Sequence, residues 1–315
     1  MHHSSRKVAI AGAGAVGSTF AYALAQSGVA EEIVMVDKDA ELARGQALDL
    51  AHGLPYFPKV DIRAGESDDY GDARVIVITA GSKQKSGESR LDLLKRNVSI
   101  MESVVDKITA RNSDAVLVVV SNPVDILTYV AGKRTGWSKG RVMGSGTVLD
   151  SVRFRYTLSR HCDIDVHNVH AYILGEHGDS EFAAWSMTHM GGIPIDDYCQ
   201  ICGKCDDWQK ERADMETRVR QSAYHIIDYK GATYFAVGLA LVRLVGAILR
   251  DEKSVLTVSS NLSGEYGLND VSLSLPAIVS SVGVERIMQA SLPDSEMDAL
   301  KHSAGILKDA ISQLG

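Results

Sequence analysis

Six residues near the start, Gly12-Ala13-Gly14-Ala15-Val16-Gly17, have the spacing of a phosphate-binding turn. Glycines allow such a turn to bend tightly and a pyrophosphate to approach the backbone, where its charge meets free N–H groups and the positive end of a helix dipole. Alone the pattern is weak, because small-residue turns are common. Here a β-branched run, Lys7 to Ala11, precedes it and a helix-like stretch follows. Asp37 ends the next strand-like run about 20 residues further on, the distance expected of an acid that holds a ribose hydroxyl pair. An aspartate there would repel a 2′-phosphate, so the expected cofactor is NAD rather than NADP. Asp150 and Arg153, three apart in a helical pattern, share one helix face. Such an acid could orient a base while the guanidinium fork holds a carboxylate by two parallel hydrogen bonds. The same spacing also suits a plain ion pair on a solvated helix. Cys199, Cys202 and Cys205 recur every third residue, as metal ligands can, but a fourth thiolate at the usual spacing is missing. The expectation is therefore peripheral loop thiols and no metal.

These residues need a scaffold, and the first half supplies an alternating one. Short β-branched runs at Lys7 to Ala11, Glu32 to Asp37, Val60 to Ala64, Arg74 to Ala80, Ala115 to Ser121 and Arg141 to Gly144 are mostly separated by amphipathic stretches. That rhythm implies a parallel sheet with helices on both faces. After about Gly146 it changes to a helix from Thr147 to His161 and a strand from Val169 to Leu174. Two long helical patterns follow, Asp206 to Tyr229 and Thr233 to Arg250. Strand-like segments around Val255 to Leu262, Val271 to Val279 and Glu285 to Ile287 then lead to a closing helix, Asp294 to Leu314. The expected class is α/β: a Rossmann-type doubly wound parallel sheet over residues 6–145, then an α+β substrate domain over 146–315.

Five further motifs occur in one order along the chain: Gly81-Ser82-Lys83-Gln84-Lys85-Ser86-Gly87-Glu88-Ser89-Arg90, Ser121-Asn122-Pro123-Val124-Asp125, Leu149-Asp150-Ser151-Val152-Arg153, Gly175-Glu176-His177-Gly178-Asp179 and Lys230-Gly231-Ala232-Thr233. Together they resemble the lactate and malate dehydrogenase family. The resemblance implies His177 as acid/base, Asp150 as its partner, Arg153 as carboxylate anchor and Arg90 as a polarising residue on a mobile loop. It also implies that Asn122 hydrogen-bonds near substrate and cofactor, and that Gly81, Ser82, Ser121 and Asn122 join the glycine turn in binding NAD. The chemistry fits these types. Oxidising a 2-hydroxy acid removes the hydroxyl proton as hydride leaves the same carbon, so a base titrating near neutrality must stand beside the nicotinamide.

Within that family, malate dehydrogenases commonly carry arginine at the position of Gln84. A neutral glutamine offers no counter-charge to a second carboxylate, and Thr233 should narrow the pocket around a methyl group, so pyruvate and L-lactate are the implied substrates. Malate or another 2-hydroxy acid is the alternative. The family usually has proline where Ser86 stands, which implies a more flexible open loop. Arg155 lies two residues beyond Arg153, about 200° around the helix, and points away from the substrate. With His170 it resembles the pair by which allosteric bacterial members bind fructose 1,6-bisphosphate between subunits. A homotetramer is likewise implied by the resemblance, and not by composition.

Composition bounds the rest. The chain has 315 residues, 33 Lys+Arg against 40 Asp+Glu and a formal charge of −7, with no long basic run. That balance speaks against nucleic-acid or anionic-lipid partners. The longest apolar run, Ala115 to Val120, is far short of the roughly 20 residues of a membrane span. The expected location is the cytoplasm, with the cysteines as thiols. His189 reads as a core or interface histidine, and Tyr224 as a packing residue. Two rivals from other classes remain: an NAD-dependent glycoside hydrolase, which would need a metal, and a non-catalytic nucleotide sensor. The sensor has no reason to keep His177, Asp150, Arg153, Arg90 and Gln84 together.

Overall fold

A computed structural model describes residues 6–83 and 87–314. Six strands, β1 (Lys7–Ala11), β2 (Glu32–Val36), β3 (Asp61–Ala64), β4 (Val75–Ile78), β5 (Val116–Val119) and β6 (Val142–Gly144), pair in parallel in the order β3-β2-β1-β4-β5-β6. Every residue of β1, β4 and β5 is buried. Strands apolar on both faces require cover on both. The pleat sorts them: Val8, Ile10, Val75 and Val77 enter one core, and Ala9, Ile76, Ile78 and Leu117 the other. The covering helices include α1 (Ala15–Ser27), α2 (Ala40–Ala51), α3 (Arg90–Thr109) and α4 (Val124–Thr135).

After β6 the topology changes. Helix α5 (Val148–Cys162) leads into short strands β7 (Val169–His170), β8 (Ile173–Leu174), β9 (Phe182–Ala183), β10 (His189–Met190) and β11 (Ile193–Pro194). Helices α6 (Ile195–Cys202), α7 (Trp208–Lys230) and α8 (Phe235–Leu249) follow, then β12 (Ser254–Ser263), β13 (Asn269–Ser280), β14 (Gly283–Ile287) and α9 (Asp294–Ser312). The last three strands do not make a sheet of their own. β12 pairs antiparallel with β6 at Ser259 and Gly144, so the described residues form one nine-stranded sheet ending β6-β12-β13-β14.

The strand expected from Val169 to Leu174 is two pieces. β7 joins β10 and β11, whereas β8 pairs with β9. Side chains of α5 and its N-cap take the backbone groups that a continuous ladder would use. Arg155 Nε donates to the Val169 carbonyl, the Ile173 N–H donates to Ser151 Oγ, and Thr147 Oγ1 donates to the Ile173 carbonyl. Side chains from Val169 to Leu174 therefore do not follow one continuous pleat.

Candidate active site

The glycine turn sits between β1 and α1 as expected, and its glycines answer to different demands. Gly12 has φ +116°, and a Cβ there would stand 2.6 Å from the Ala80 nitrogen; one at Gly17 would stand 2.0 Å from the Gly12 carbonyl oxygen. Both are therefore required by the fold. Gly14, the N-cap of α1, has no side-chain cap, and a Cβ on it would meet nothing within 4 Å. An open, glycine-lined helix N-terminus is what close approach of a pyrophosphate needs. Asp37 stands beside it, Oδ2 accepting the Ala13 N–H at 2.7 Å.

The crevice continues across the C-terminal ends of β4 and β5, where a dinucleotide crosses sheets of this order. Ser121 Oγ donates to the Ala80 carbonyl at 2.6 Å. Asn97, buried in α3, accepts the Ser82 N–H through Oδ1 at 2.9 Å and donates from Nδ2 to the Asn122 carbonyl at 2.9 Å. One side chain thus fixes two of the positions expected to bind the cofactor. Asn97 was not legible in the sequence, where it is one polar residue in a helical run.

Val16, Asn122, Arg153, His177 and Thr233 line a single cleft. The His177 N–H donates to Asp125 Oδ2 at 2.7 Å, which holds the loop after β8 against α4. His177 Nδ1 lies 2.6 Å from Asp150 Oδ2, and Arg153 Nη1 donates to Asp150 Oδ1 at 2.7 Å. The i,i+3 pair is therefore part of the cleft, and the Asp150 carboxylate is shared between base and guanidinium. Burial lowers the imidazolium's stability, but Asp150 outweighs it and pushes the His177 pKa up to about 9. Burial likewise disfavours the Asp150 carboxylate, and the His177 and Arg153 charges overcome this and keep it ionised. With Nδ1 engaged, Nε2 is the atom left for proton exchange.

A third acid stands here unannounced by the sequence. Glu181 is buried, and its carboxylate lies within 4.8 Å of donor atoms of Asp150 and His177. Burial first, and then the Asp150 charge, push its pKa up to about 8. The spacing would admit a cation, but both Asp150 oxygens already serve His177 and Arg153.

The remaining expected residues lie apart. Arg90 is exposed at the first turn of α3, after the Ser89 N-cap, and is not among the residues lining the cleft. Gln84 and Ser86 fall outside the described residues. Arg155 points away from the cleft, as expected, and its bond to Val169 brings it beside His170, which is exposed. Tyr224 is not a packing residue: it is 52% exposed and its hydroxyl donates to Asp179 Oδ1 at 2.8 Å, two residues past His177. Its place on α7, facing the histidine loop, accounts for the difference. His189 is half-buried, with Nδ1 3.2 Å from the Met187 carbonyl. Among the described residues no helix is long and apolar enough to cross a membrane.

Comparison with known proteins gives this geometry its family. The model of the lactate/malate dehydrogenase NAD binding domain matches residues 6–144, and that of the family's alpha/beta C-terminal domain matches 147–314. An L-lactate dehydrogenase of Treponema denticola is 57% identical over 316 residues, covering 100% of both chains. One from Thermoanaerobacter pseudethanolicus is 51% identical over 308 residues, covering 98% of this chain and 99% of its own. Among solved structures, the minor L-lactate dehydrogenase from Enterococcus mundtii in the ligands-bound form has a TM-score of 0.96 at 41% identity, covering 99% of each chain. MGS-M5, a lactate dehydrogenase from a Medee basin deep-sea metagenome library, has a TM-score of 0.96 at 43% identity over 98% of this chain and 99% of its own. Matched by both family models from its first strand to its last helix, the chain belongs to the lactate/malate dehydrogenase family of NAD-dependent oxidoreductases.

Proposed function

We propose that the chain interconverts pyruvate and L-lactate with NAD, in the cleft floored by His177, Asp150 and Arg153. The observation that carries this reading is the shared carboxylate: Asp150 holds the base through one oxygen and the carboxylate-binding guanidinium through the other. Bound NAD supplies or accepts the hydride. Arg153 takes the substrate carboxylate through its planar fork and fixes which face of the 2-carbon is presented. In reduction His177 Nε2 gives its proton to the carbonyl oxygen; in oxidation it takes the hydroxyl proton, and Asp150 stabilises the imidazolium so formed. Arg90, brought down by its loop, polarises the carbonyl and helps exclude water. Asn122 hydrogen-bonds beside it, and Thr233 limits the space around the methyl group.

Gln84 sets the substrate in this reading, since a second carboxylate would meet no counter-charge. The test is NADH oxidation with pyruvate and with oxaloacetate. The wild type favours pyruvate, and Gln84→Arg moves the kcat/KM ratio toward oxaloacetate by at least about tenfold, the equivalent of 1.4 kcal/mol. An unchanged ratio removes Gln84 from specificity, and a wild type that prefers oxaloacetate replaces lactate with malate.

Two further parts of the proposal concern assembly. Arg155, bonded to the Val169 carbonyl, and the next residue along that strand, His170, both off the catalytic cleft, suit a fructose 1,6-bisphosphate phosphate group. Val152, Phe235, Leu239 and Val255 are exposed large apolar residues, and the first, third and fourth line a second cleft that also contains Arg155. Exposed apolar surface of this kind supports a homo-oligomer, a tetramer in this proposal, with the effector near a subunit boundary. The boundary between cofactor and substrate domains is placed at residues 145 and 146.

A further inference from the structure

We propose that Asp125 is a positioning residue for the reaction, the tie that keeps His177 in register with the wall of the cleft expected to hold the nicotinamide. This rests on His177 being the acid/base of pyruvate reduction. The imidazole ring is oriented by Asp150 on α5, which meets Nδ1. The backbone of the histidine is held separately. In the loop after β8 three successive N–H groups are each taken by a different element. Gly175 donates to the Ser274 carbonyl on β13 at 3.0 Å, Glu176 to Ser303 Oγ on α9 at 2.7 Å, and His177 to Asp125 Oδ2 on α4 at 2.7 Å. Ser274 and Ser303 belong, like the loop, to the C-terminal domain matched over residues 147–314. Asp125 belongs to the domain matched over 6–144, so its bond is the one of these three that crosses from the NAD-binding domain to the catalytic loop. Asn122, in the turn that leads into α4, lines the same cleft as His177.

An acid in the first turn of a helix ordinarily serves the helix dipole, and can do so from water. Asp125 is 2% exposed, and its Oδ2 is spent on a residue 52 positions away rather than on α4. Its Oδ1 is buried with no partner in hydrogen-bonding geometry among the described residues. Burial pushes the carboxyl up to about 6, so the charged form is held against its own desolvation. A buried acid with an orphaned oxygen stabilises a fold poorly, and an apolar side chain of similar volume often serves stability as well or better. Such a residue calls for a role other than stability. Proton and hydride must reach the two atoms of one carbonyl group, and a misplacement of about 1 Å can cost about a hundredfold in rate. A tie on the backbone of the base itself, anchored three residues from Asn122, limits that error.

The test compares Asp125→Asn, which keeps an acceptor for the His177 N–H and removes the charge, with Asp125→Leu and Asp125→Ala, which remove the acceptor and respectively keep and lose the volume. In the full chain without ligand, amide hydrogen exchange at His177 quickens at least about tenfold in Asp125→Leu and Asp125→Ala and stays near wild type in Asp125→Asn, while β1 and β5 exchange as before. NADH, followed by its fluorescence, still binds one site per chain with a Kd within about threefold of wild type. With pyruvate, kcat falls about a hundredfold in Asp125→Leu and Asp125→Ala at a KM within about threefold, and Asp125→Asn keeps kcat within about threefold of wild type. A kcat retained without the acceptor overturns the proposal. Asp125→Asn as slow as Asp125→Ala also overturns it, since the charge and not the tie would then matter. So does a loss of kcat matched by an equal loss of NADH sites, which is what a merely structural role gives. A wild type that binds NADH without reducing pyruvate overturns the proposed function itself, and this inference with it.

Discussion

Glu181 is the residue whose chemistry extends furthest beyond the five motifs. It follows His177 by four, and in sequence is one acid among several. The turn that bonds the Glu181 N–H to the Gly178 carbonyl at 3.2 Å curls it back toward the His177–Asp150 pair. Charged groups face it from several elements: Asp150 and Arg153 on α5, His177 on its own loop and Arg220 on α7. Its pKa, pushed up to about 8 by burial and the Asp150 charge, lies close to that of His177, raised to about 9, so the two titrate as a linked pair and ionisation of Glu181 adds a negative charge beside the imidazole. The new charge favours the imidazolium and extends the range over which His177 can donate. The prediction is that Glu181→Gln shifts the alkaline limb of pyruvate reduction to lower pH by at least about one unit, as expected of a removed charge some 5 Å away. Stability responds in a fixed direction too. His177, with its pKa raised above about 6.5, stabilises fully below that value and loses its contribution as pH rises through about 9. Glu181, raised from 4.5, also costs stability as pH rises between 4.5 and about 8. Glu181→Gln therefore flattens the fall of the thermal midpoint between pH 6 and pH 8. A limb and a midpoint slope identical to wild type would leave Glu181 a bystander.

At the scale of elements, α5 shows why some of the site could be read from sequence and some could not. Asp150, Arg153 and Arg155 were legible because helical periodicity fixes their relative directions before any partner is known. The parallel strands were legible for a similar reason, since strands buried on both faces are unbroken apolar runs. β7 to β11 are two residues each, and such strands exist only by their partners, which lie far off in sequence. The same holds for Asn97: local spacing carries no trace of a contact made between elements. The glycine turn separates fold from function within one motif. Gly17→Ala should cost about 2–4 kcal/mol of stability, because its Cβ meets backbone at 2.0 Å. Gly14→Ala meets nothing, so its thermal midpoint should hold within about 1 kcal/mol while the NADH Kd rises about tenfold or more. Equal Kd values for Gly14→Ala and wild type, measured by NADH fluorescence, would place the pyrophosphate away from this turn.

At the scale of the whole molecule, a chain of net charge −7 is proposed to bind an anionic cofactor, an anionic substrate and an anionic effector. The global sign is overcome locally, by a helix N-terminus for the pyrophosphate, by Arg153 and Arg90 for the substrate, and by Arg155 with His170 for the effector. The last pair has a consequence the others lack. α5 carries Arg153 on one face and Arg155 on the other, and Arg155 is tied to β7, so a ligand that draws on Arg155 acts on the element that also holds the substrate anchor. Coupling between two such sites is typically worth about 1–3 kcal/mol, or about 5–150-fold in affinity. The prediction is that fructose 1,6-bisphosphate lowers the pyruvate concentration at half-saturation by a factor in that range. Arg155→Gln with His170→Gln should abolish the response and leave the rate at saturating pyruvate close to wild type, because neither residue lines the catalytic cleft. The saturation curve of the intact protein with and without the bisphosphate decides the matter. Superimposable curves would reduce Arg155 to its structural bond with Val169, whereas a shift that persists in the double variant would move the effector to another surface.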